Sequence, residues 1–314
     1  MTALLSRVAD RMYWAARYLE RAEDTARVVK EHTDFIVDVP HRLNPHWGPL
    51  LAITGTRATF DDAYPSDSEH NVIRFLVADP KHACSVLAAV EQARENLRTT
   101  REVLPREAWQ ALNDTYLYCA ANAEEGVGRR TRPRFLARVV GDCQTVSGIL
   151  EGTMRRDQAY AFMRLGRSIE RADMTTRVLD VRAGEAMDTT PGSASAKRFE
   201  NVQWMSVLRA LSGLQMYHRA TVGGVDGAHA LRFLLRDRSF PRSVAHCLDE
   251  IERNLGQLPH ADASLEAARA ARVLVAAAPV DTLLAYGLHE EMDRLQLAIG
   301  AIHNVVVDTY FVPG

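Results

Sequence analysis

The 314-residue chain has little of what most enzyme and membrane-protein signatures require. Its four cysteines, Cys84, Cys119, Cys143 and Cys247, stand far apart with no Cys-x-x-Cys, which excludes a zinc knuckle and a disulfide framework; each reads as a small buried hydrophobe. No run approaches the roughly 18 apolar residues of a membrane span, and Arg7, Asp10 and Arg11 interrupt any signal-peptide core, so a cytoplasmic protein without membrane contact is expected. Gly-x-x-x-x-Gly-Lys, a strand-borne Gly-x-Gly-x-x-Gly and Gly-x-Ser-x-Gly are all missing, which leaves no nucleotide site of known type and no nucleophile elbow. Glu-x-x-His, needed on two helices of a di-iron bundle, does not occur; Asp38/His41, Asp67/His70, Asp79/His82 and Asp226/His229 fall in loops or at helix starts, so neither a metal nor another cofactor is expected. Charge of one sign is lacking too. A net charge of −2 gives no field that would gather nucleic acid, and the one basic stretch, Gly128–Arg134, reads first as a solvated interhelical loop.

What is present is repetition. Arg17, Glu20, Arg21, Ala22, Thr25, Arg27 and Val28 recur 150 residues later as Arg167, Glu170, Arg171, Ala172, Thr175, Arg177 and Val178. Asn44, Trp47 and Leu51 match Asn201, Trp204 and Leu208 at an offset of 157, and Arg74 through Leu97 carries matches to Arg232 through Leu255 at 158. Three ordered blocks at a nearly constant offset predict an internal duplication, and the period is that of a domain rather than of a solenoid unit.

Apolar residues recur at helical spacing almost throughout, and alternating strand patterns are missing, so the fold is all-α. Long helices are predicted near 2–37, 82–103, 106–126, 132–155, 157–183, 241–258, 262–278 and 281–310, with shorter ones near 46–54, 68–78, 199–219 and 226–235. Each half, 1–150 and 151–314, then holds six segments. The one low-hydrophobicity linker, Ala183–Ser195, does not separate the halves, so 1–314 is expected to form a single body with pseudo-two-fold symmetry. Trp47 and Trp204 read as core anchors, and Ser85 and Ser243 as helix caps.

In the repeated helix, Ala15, Leu19, Ala22 and Ala26 form an apolar stripe, and Leu165, Ile169, Ala172 and Leu179 form its counterpart. Arg17, Glu20, Arg21, Asp24 and Arg27 lie opposite, as do Arg167, Glu170, Arg171 and Arg177. Glu20 is spaced to pair with Arg17, and Glu170 with Arg167, three residues earlier on their own helices. Because Val28, Val178, Trp14 and Met174 share that face, other helices are expected to cover it. The pattern admits three readings: a structural ion network, ranked first; an anionic-ligand site made of Arg17, Glu20, Arg21, Arg27, Arg167, Glu170, Arg171 and Arg177; or a partner contact.

Tyr13–Glu23, Ala93–Arg98, Trp109–Asn113, Leu165–Asp173 and Pro241–Ser243 together resemble the bacterial alpha-E family, named for its helical content and a Glu-Arg motif matched here by Glu20-Arg21 and Glu170-Arg171. Ala16 departs from the pattern where Gly166 keeps it. The resemblance spans nearly the whole chain and implies a setting beside, or fused to, circularly permuted ATP-grasp proteins, often with transglutaminase-like proteins nearby. ATP-grasp enzymes activate a carboxylate as an acyl phosphate and join it to an amine or thiol. The expected function is thus an accessory all-α subunit of an amide- or peptide-forming system that binds a carboxylate-bearing amino acid or peptide. The alternatives are an enzyme acting on an anionic substrate, with Glu20 or Glu170 moving a proton, and a non-catalytic scaffold. A homo-oligomer remains open.

Overall fold

The computed structural model describes residues 6–38, 46–187 and 194–311, and every regular element among them is helical. The order is α1 (Ser6–Asp38), α2 (Gly48–Ile53), α3 (Arg57–Ala63), α4 (Glu69–Val77), α5 (Val86–Arg98), α6 (Arg106–Val127), α7 (Arg132–Thr153), α8 (Gln158–Met187), α9 (Ala194–Ala210), α10 (Leu214–Ala220), α11 (Gly227–Arg236), α12 (Val244–Leu255), α13 (Asp262–Ala277), α14 (Val280–Leu283) and α15 (Leu288–Tyr310). A 3₁₀ turn, Arg101–Val103, precedes α6.

Local chemistry sets most boundaries. Ser68, Ser85, Asp226 and Ser243 each accept a hydrogen bond from the backbone N–H three residues on, capping α4, α5, α11 and α12. Pro133 sits in the first turn of α7, while Pro105 and Pro279 immediately precede α6 and α14, positions where the missing amide hydrogen leaves no helical carbonyl unpaired.

Several expectations are corrected. The described residues hold fifteen helices, not two sets of six: α3 forms in the region read as irregular, and two of the expected helices are each broken in two. The helix expected over 199–219 breaks between α9 and α10, where Ser212 takes φ 54° and the Gly213 N–H closes back on the Leu208 carbonyl at 2.6 Å. The helix expected over 281–310 breaks at Gly287, whose φ of 80° is the left-handed conformation glycine adopts without strain. The helix expected to end at 183 continues to Met187, and the rest of the anticipated linker lies largely outside the described residues.

Two helices organise the interior. α1 packs on α5, α7 and α8, and α8 packs on α9, α12 and α15 as well. Apolar side chains from α1 through α15 join one contiguous core that includes Trp47 and Trp204. A Cβ built on Gly166 would lie 2.3 Å from the Tyr13 carbonyl oxygen, so the α1 and α8 backbones touch at that turn. Contacts between the two helices keep step: Tyr13 meets Gly166, Arg17 meets Glu170, and Glu20 meets both Arg167 and Arg171. α1 and α8 therefore run in the same direction with their Glu-Arg turns level.

Candidate functional site

Close approach and matching register bring the charged faces of α1 and α8 together, and the pairing crosses between the helices. Arg17 Nε donates to Glu170 Oε2 at 2.8 Å, and Arg21 holds both oxygens of Glu170, Nε at 2.6 Å and Nη2 at 3.1 Å. Reciprocally, Arg171 Nε donates to Glu20 Oε1 at 2.7 Å and Arg167 Nε to Glu20 Oε2 at 3.1 Å. The expected pairs within one helix, Arg17 with Glu20 and Arg167 with Glu170, are thus replaced by pairs between helices. Spacing along one helix could not reveal that a second guanidinium pair stood closer across the interface.

Both glutamates are buried, at 1% and 4% side-chain exposure, which rules out a solvated surface network. Burial alone would raise their pKa values. Arg171, Arg242 and Arg167 instead hold Glu20 well below the usual carboxylate range, and Arg21 and Arg17 hold Glu170 below it, so both stay ionised.

Around Glu20 the network extends to residues outside the expected set. Arg242, in the turn before α12, lies 2.8 Å from Glu20 Oε1 and donates to Glu23 Oε1 at 2.9 Å and to Asp24 Oδ1 at 2.6 Å. Arg27 is buried behind it, bonded to Asp24 at 2.9 Å and to Glu23. Gln144 of α7 donates to Glu23 at 3.2 Å. Glu23 is thus held by two guanidinium groups and an amide. Arg177 is left out of the cluster, paired with Asp173 at 2.8 Å on its own helix.

The two sides of the network differ in access. Beside Arg167 and Arg171 opens a cleft of about 880 Å³ whose wall also includes Arg156, Arg164, Arg242 and Arg253. Three glutamates line it, Glu23, Glu151 and Glu250, so guanidinium groups exceed carboxylates there by three. Among the described residues, Arg171 donates only through Nε to Glu20, which clamps one edge of the guanidinium and leaves both Nη groups to the cleft. Arg167 is held the same way, its Nη1 standing 3.9 Å from Glu151. Two forks fixed on one edge and free on the other can take a carboxylate or phosphate oxygen pair.

Beside Arg17 and Arg21 the surface is lined by aromatic rings, with a quarter of the Arg21 side chain still exposed. The Arg17 guanidinium lies 5.0 Å from the Trp14 ring centre and that of Arg21 lies 5.5 Å from Tyr18. Tyr13 hydrogen-bonds His303 Nδ1 of α15 at 2.8 Å, and Phe311 packs on the same ring. Burial pushes Tyr13 up to about 12, and burial with Arg17 nearby pushes His303 down to about 4, so the tyrosine donates and a neutral imidazole accepts.

Elsewhere, the basic stretch is mostly the solvated loop expected: Arg129, Arg130 and Arg134 are exposed, with Arg129 pairing with Glu69 and Arg134 with Glu125, and Arg132 is buried against Glu69 and the Val127 carbonyl. Asp180, His289 and Asp293 bring three metal-ligating groups together at an exposed edge, with His289 Nδ1 already 2.7 Å from Asp180. Among the described residues no helix is long and apolar enough to cross a membrane.

No solved structure matches the chain. Uncharacterized proteins of Mycobacterium bovis and of Mycobacterium tuberculosis, strains CDC 1551 and H37Rv, are each 24% identical over 285 residues. The match takes in 82% of this chain and 30% of each relative, so the chain spans under a third of their length. Residues 4–311 match the model of a family described as a predicted alpha-helical domain with a conserved ER motif, the dipeptide that appears here as Glu20-Arg21 and Glu170-Arg171. With its fold and both copies of that dipeptide accounted for, the chain belongs to the Alpha-E family.

Proposed function

We propose that this chain is an accessory all-α subunit of an ATP-grasp-linked amide- or peptide-forming system, and that its cleft holds the carboxylate of an amino-acid or peptide substrate. One observation carries the reading: Arg167 and Arg171 are clamped through Nε by the buried Glu20 and turn their remaining donors into an arginine-rich cleft. Fixed, partly desolvated forks bind an anion without first having to be ordered. The size of the cleft falls within the roughly 300–1,000 Å³ common for small-ligand sites.

In this reading α1 and α8 descend from one ancestral helix and are related by a pseudo-two-fold axis within a single body. The half with Arg17, Arg21 and Glu170 serves as the strut, and the half with Arg167, Arg171 and Glu20 as the binding wall. The protein works in the cytoplasm, next to a circularly permuted ATP-grasp protein and with a transglutaminase-like protein as a further partner. That the relatives extend far beyond the matched region fits a domain that operates beside others. Catalysis by Glu20 or Glu170 as an acid is disfavoured, because each is kept ionised and buried by two or more arginines.

Reconstitution tests the proposal. Added to a circularly permuted ATP-grasp protein, the chain should co-elute with it and raise ADP release in the presence of an amino-acid or peptide substrate. Arg171→Gln should keep the complex but lose the stimulation. Absence of a complex together with unchanged turnover rejects the reading.

A further inference from the structure

One side chain, Arg242, belongs both to the cleft wall and to the buried charges behind it, and any part it plays in ligand binding rests on the cleft being the anion site proposed for it. Its Nη1 donates to Asp24 Oδ1 at 2.6 Å and lies 2.8 Å from Glu20, while Nη2 donates to Glu23 at 2.9 Å. Asp24 is 1% exposed; Oδ1 also accepts from Arg27, and Oδ2 is buried with no hydrogen-bond partner. Three carboxylates thus lean on the two guanidinium groups of Arg27 and Arg242, with Arg167 and Arg171 reaching only Glu20. A carboxylate oxygen shut away from both water and donors is costly while charged and is the natural place for a proton.

The geometry points to Asp24 as a proton-operated restraint on Arg242: ionised, it is one of three carboxylates that neutralise the guanidinium and draw it back against α1; protonated, it leaves Glu20 and Glu23 to do so, and the cleft wall gains one unit of positive charge for an incoming anion. Burial pushes the Asp24 carboxyl up to about 6; Arg242 opposes this, Glu20 adds to it, and Arg27 and Glu23 act in opposite senses behind them. The other titratable groups turned toward these carboxylates are Cys143 of α7 and Cys247 of α12. Burial pushes both thiols up, Cys247 to about 12, so neither changes charge near neutrality. Arg171 completes the set from α8. His246 also lines the cleft, and the test must separate it from Asp24.

Sulfate is a suitable probe because it keeps two charges across the whole range. Titrated calorimetrically into the full chain, it should bind about tenfold tighter at pH 5 than at pH 8, the size expected when one charge appears several ångströms from the ligand at an effective dielectric near that of a protein surface. Linkage then requires uptake of about half a proton per sulfate near pH 6.5, measured in two buffers of different ionisation enthalpy. Asp24→Asn should flatten the profile and bind at pH 8 as tightly as the parent does at pH 5. His246→Gln should keep the slope and the proton uptake. If Asp24→Asn does not fold, the uptake measured on His246→Gln decides alone. A slope that survives Asp24→Asn, or uptake that vanishes in His246→Gln, overturns the assignment to Asp24 while leaving anion binding intact. Failure of sulfate to bind at any pH overturns both.

Discussion

The two sides of the Glu-Arg network use the same dipeptide and the same cross-helix pairing, yet one lies against aromatic rings and the other lines a cleft. The cause is a handful of positions 150 or 158 residues apart. Tyr13, Trp14 and Tyr18, which cover Arg17 and Arg21, are replaced on α8 by Met163, Arg164 and Ser168. Asp24 corresponds to Met174, and Arg242 to Cys84. Aromatic rings against a guanidinium occupy its face with a cation–π contact, whereas an arginine and a serine in their place leave the forks beside a cleft, although the side-chain exposures of the two pairs are similar. The pairing motif therefore fixes the geometry of two helices, and its neighbours decide whether the arginines act as struts or as receptors.

Neutralising the buried carboxylates tests that division most severely. Glu20→Gln strands Arg167 and Arg171, takes one of three carboxylates from Arg242, and should cost about 3–5 kcal/mol in urea unfolding, as expected for breaking a buried ion network. Glu170→Gln strands two arginines, one of them a quarter exposed, so its loss should be smaller; equal losses would erase the proposed asymmetry. Arginine removal should separate the roles next. Arg171→Gln is expected to weaken sulfate binding at least about tenfold, the effect of losing a charge-assisted donor pair, while Arg17→Gln lowers stability and changes affinity by no more than about twofold. Similar losses of affinity from both would place the aromatic side within the binding site. Gly166→Ala forces a methyl group against the Tyr13 backbone and should cost about 1–3 kcal/mol by thermal or urea unfolding. At the corresponding position of α1, Ala16→Gly should cost no more than about 1 kcal/mol, since it only loosens the chain.

Much of this was legible before the structure. Helical periodicity placed the long helices, the apolar stripes of α1 and α8 were identified as core, and Arg17, Glu20, Arg21, Arg167, Glu170 and Arg171 do converge. The exchange of partners was not legible, because three-residue spacing allows pairing within a helix and says nothing of which helix stands alongside. Arg242 was visible only as part of Pro241-Arg242-Ser243, a helix start. Its reach to Asp24 spans 218 positions, and only packing of α12 on α8 makes it short. The break at Ser212-Gly213 is marked by a turn dipeptide, but helical periodicity runs across it, and the left-handed residue is the serine rather than the glycine. Ala16, Asp24 and Cys84 were in view throughout, but the meaning of such departures from repetition appears only once the two sides can be set against each other.

The smallest effect belongs to the aromatic side and gives it a pH signature of its own. His303 accepts from Tyr13, and burial, reinforced by the Arg17 guanidinium, pushes its protonation in the folded protein down to about 4, against roughly 6.5 in an unfolded chain. Between those values the unfolded state binds more protons, so stability contributed by the neutral imidazole is present above about pH 6.5 and is lost as the pH falls toward 4. The ring is only half-buried, and solvent screening reduces the expected loss to about 1 kcal/mol. His303→Gln should therefore flatten the acid limb of the stability curve between pH 4 and 6.5 while leaving sulfate affinity at the open side unaltered. An unchanged acid limb would mean that α15 does not pack on this face in the way described, and the contrast between strut and receptor would lose one of its grounds.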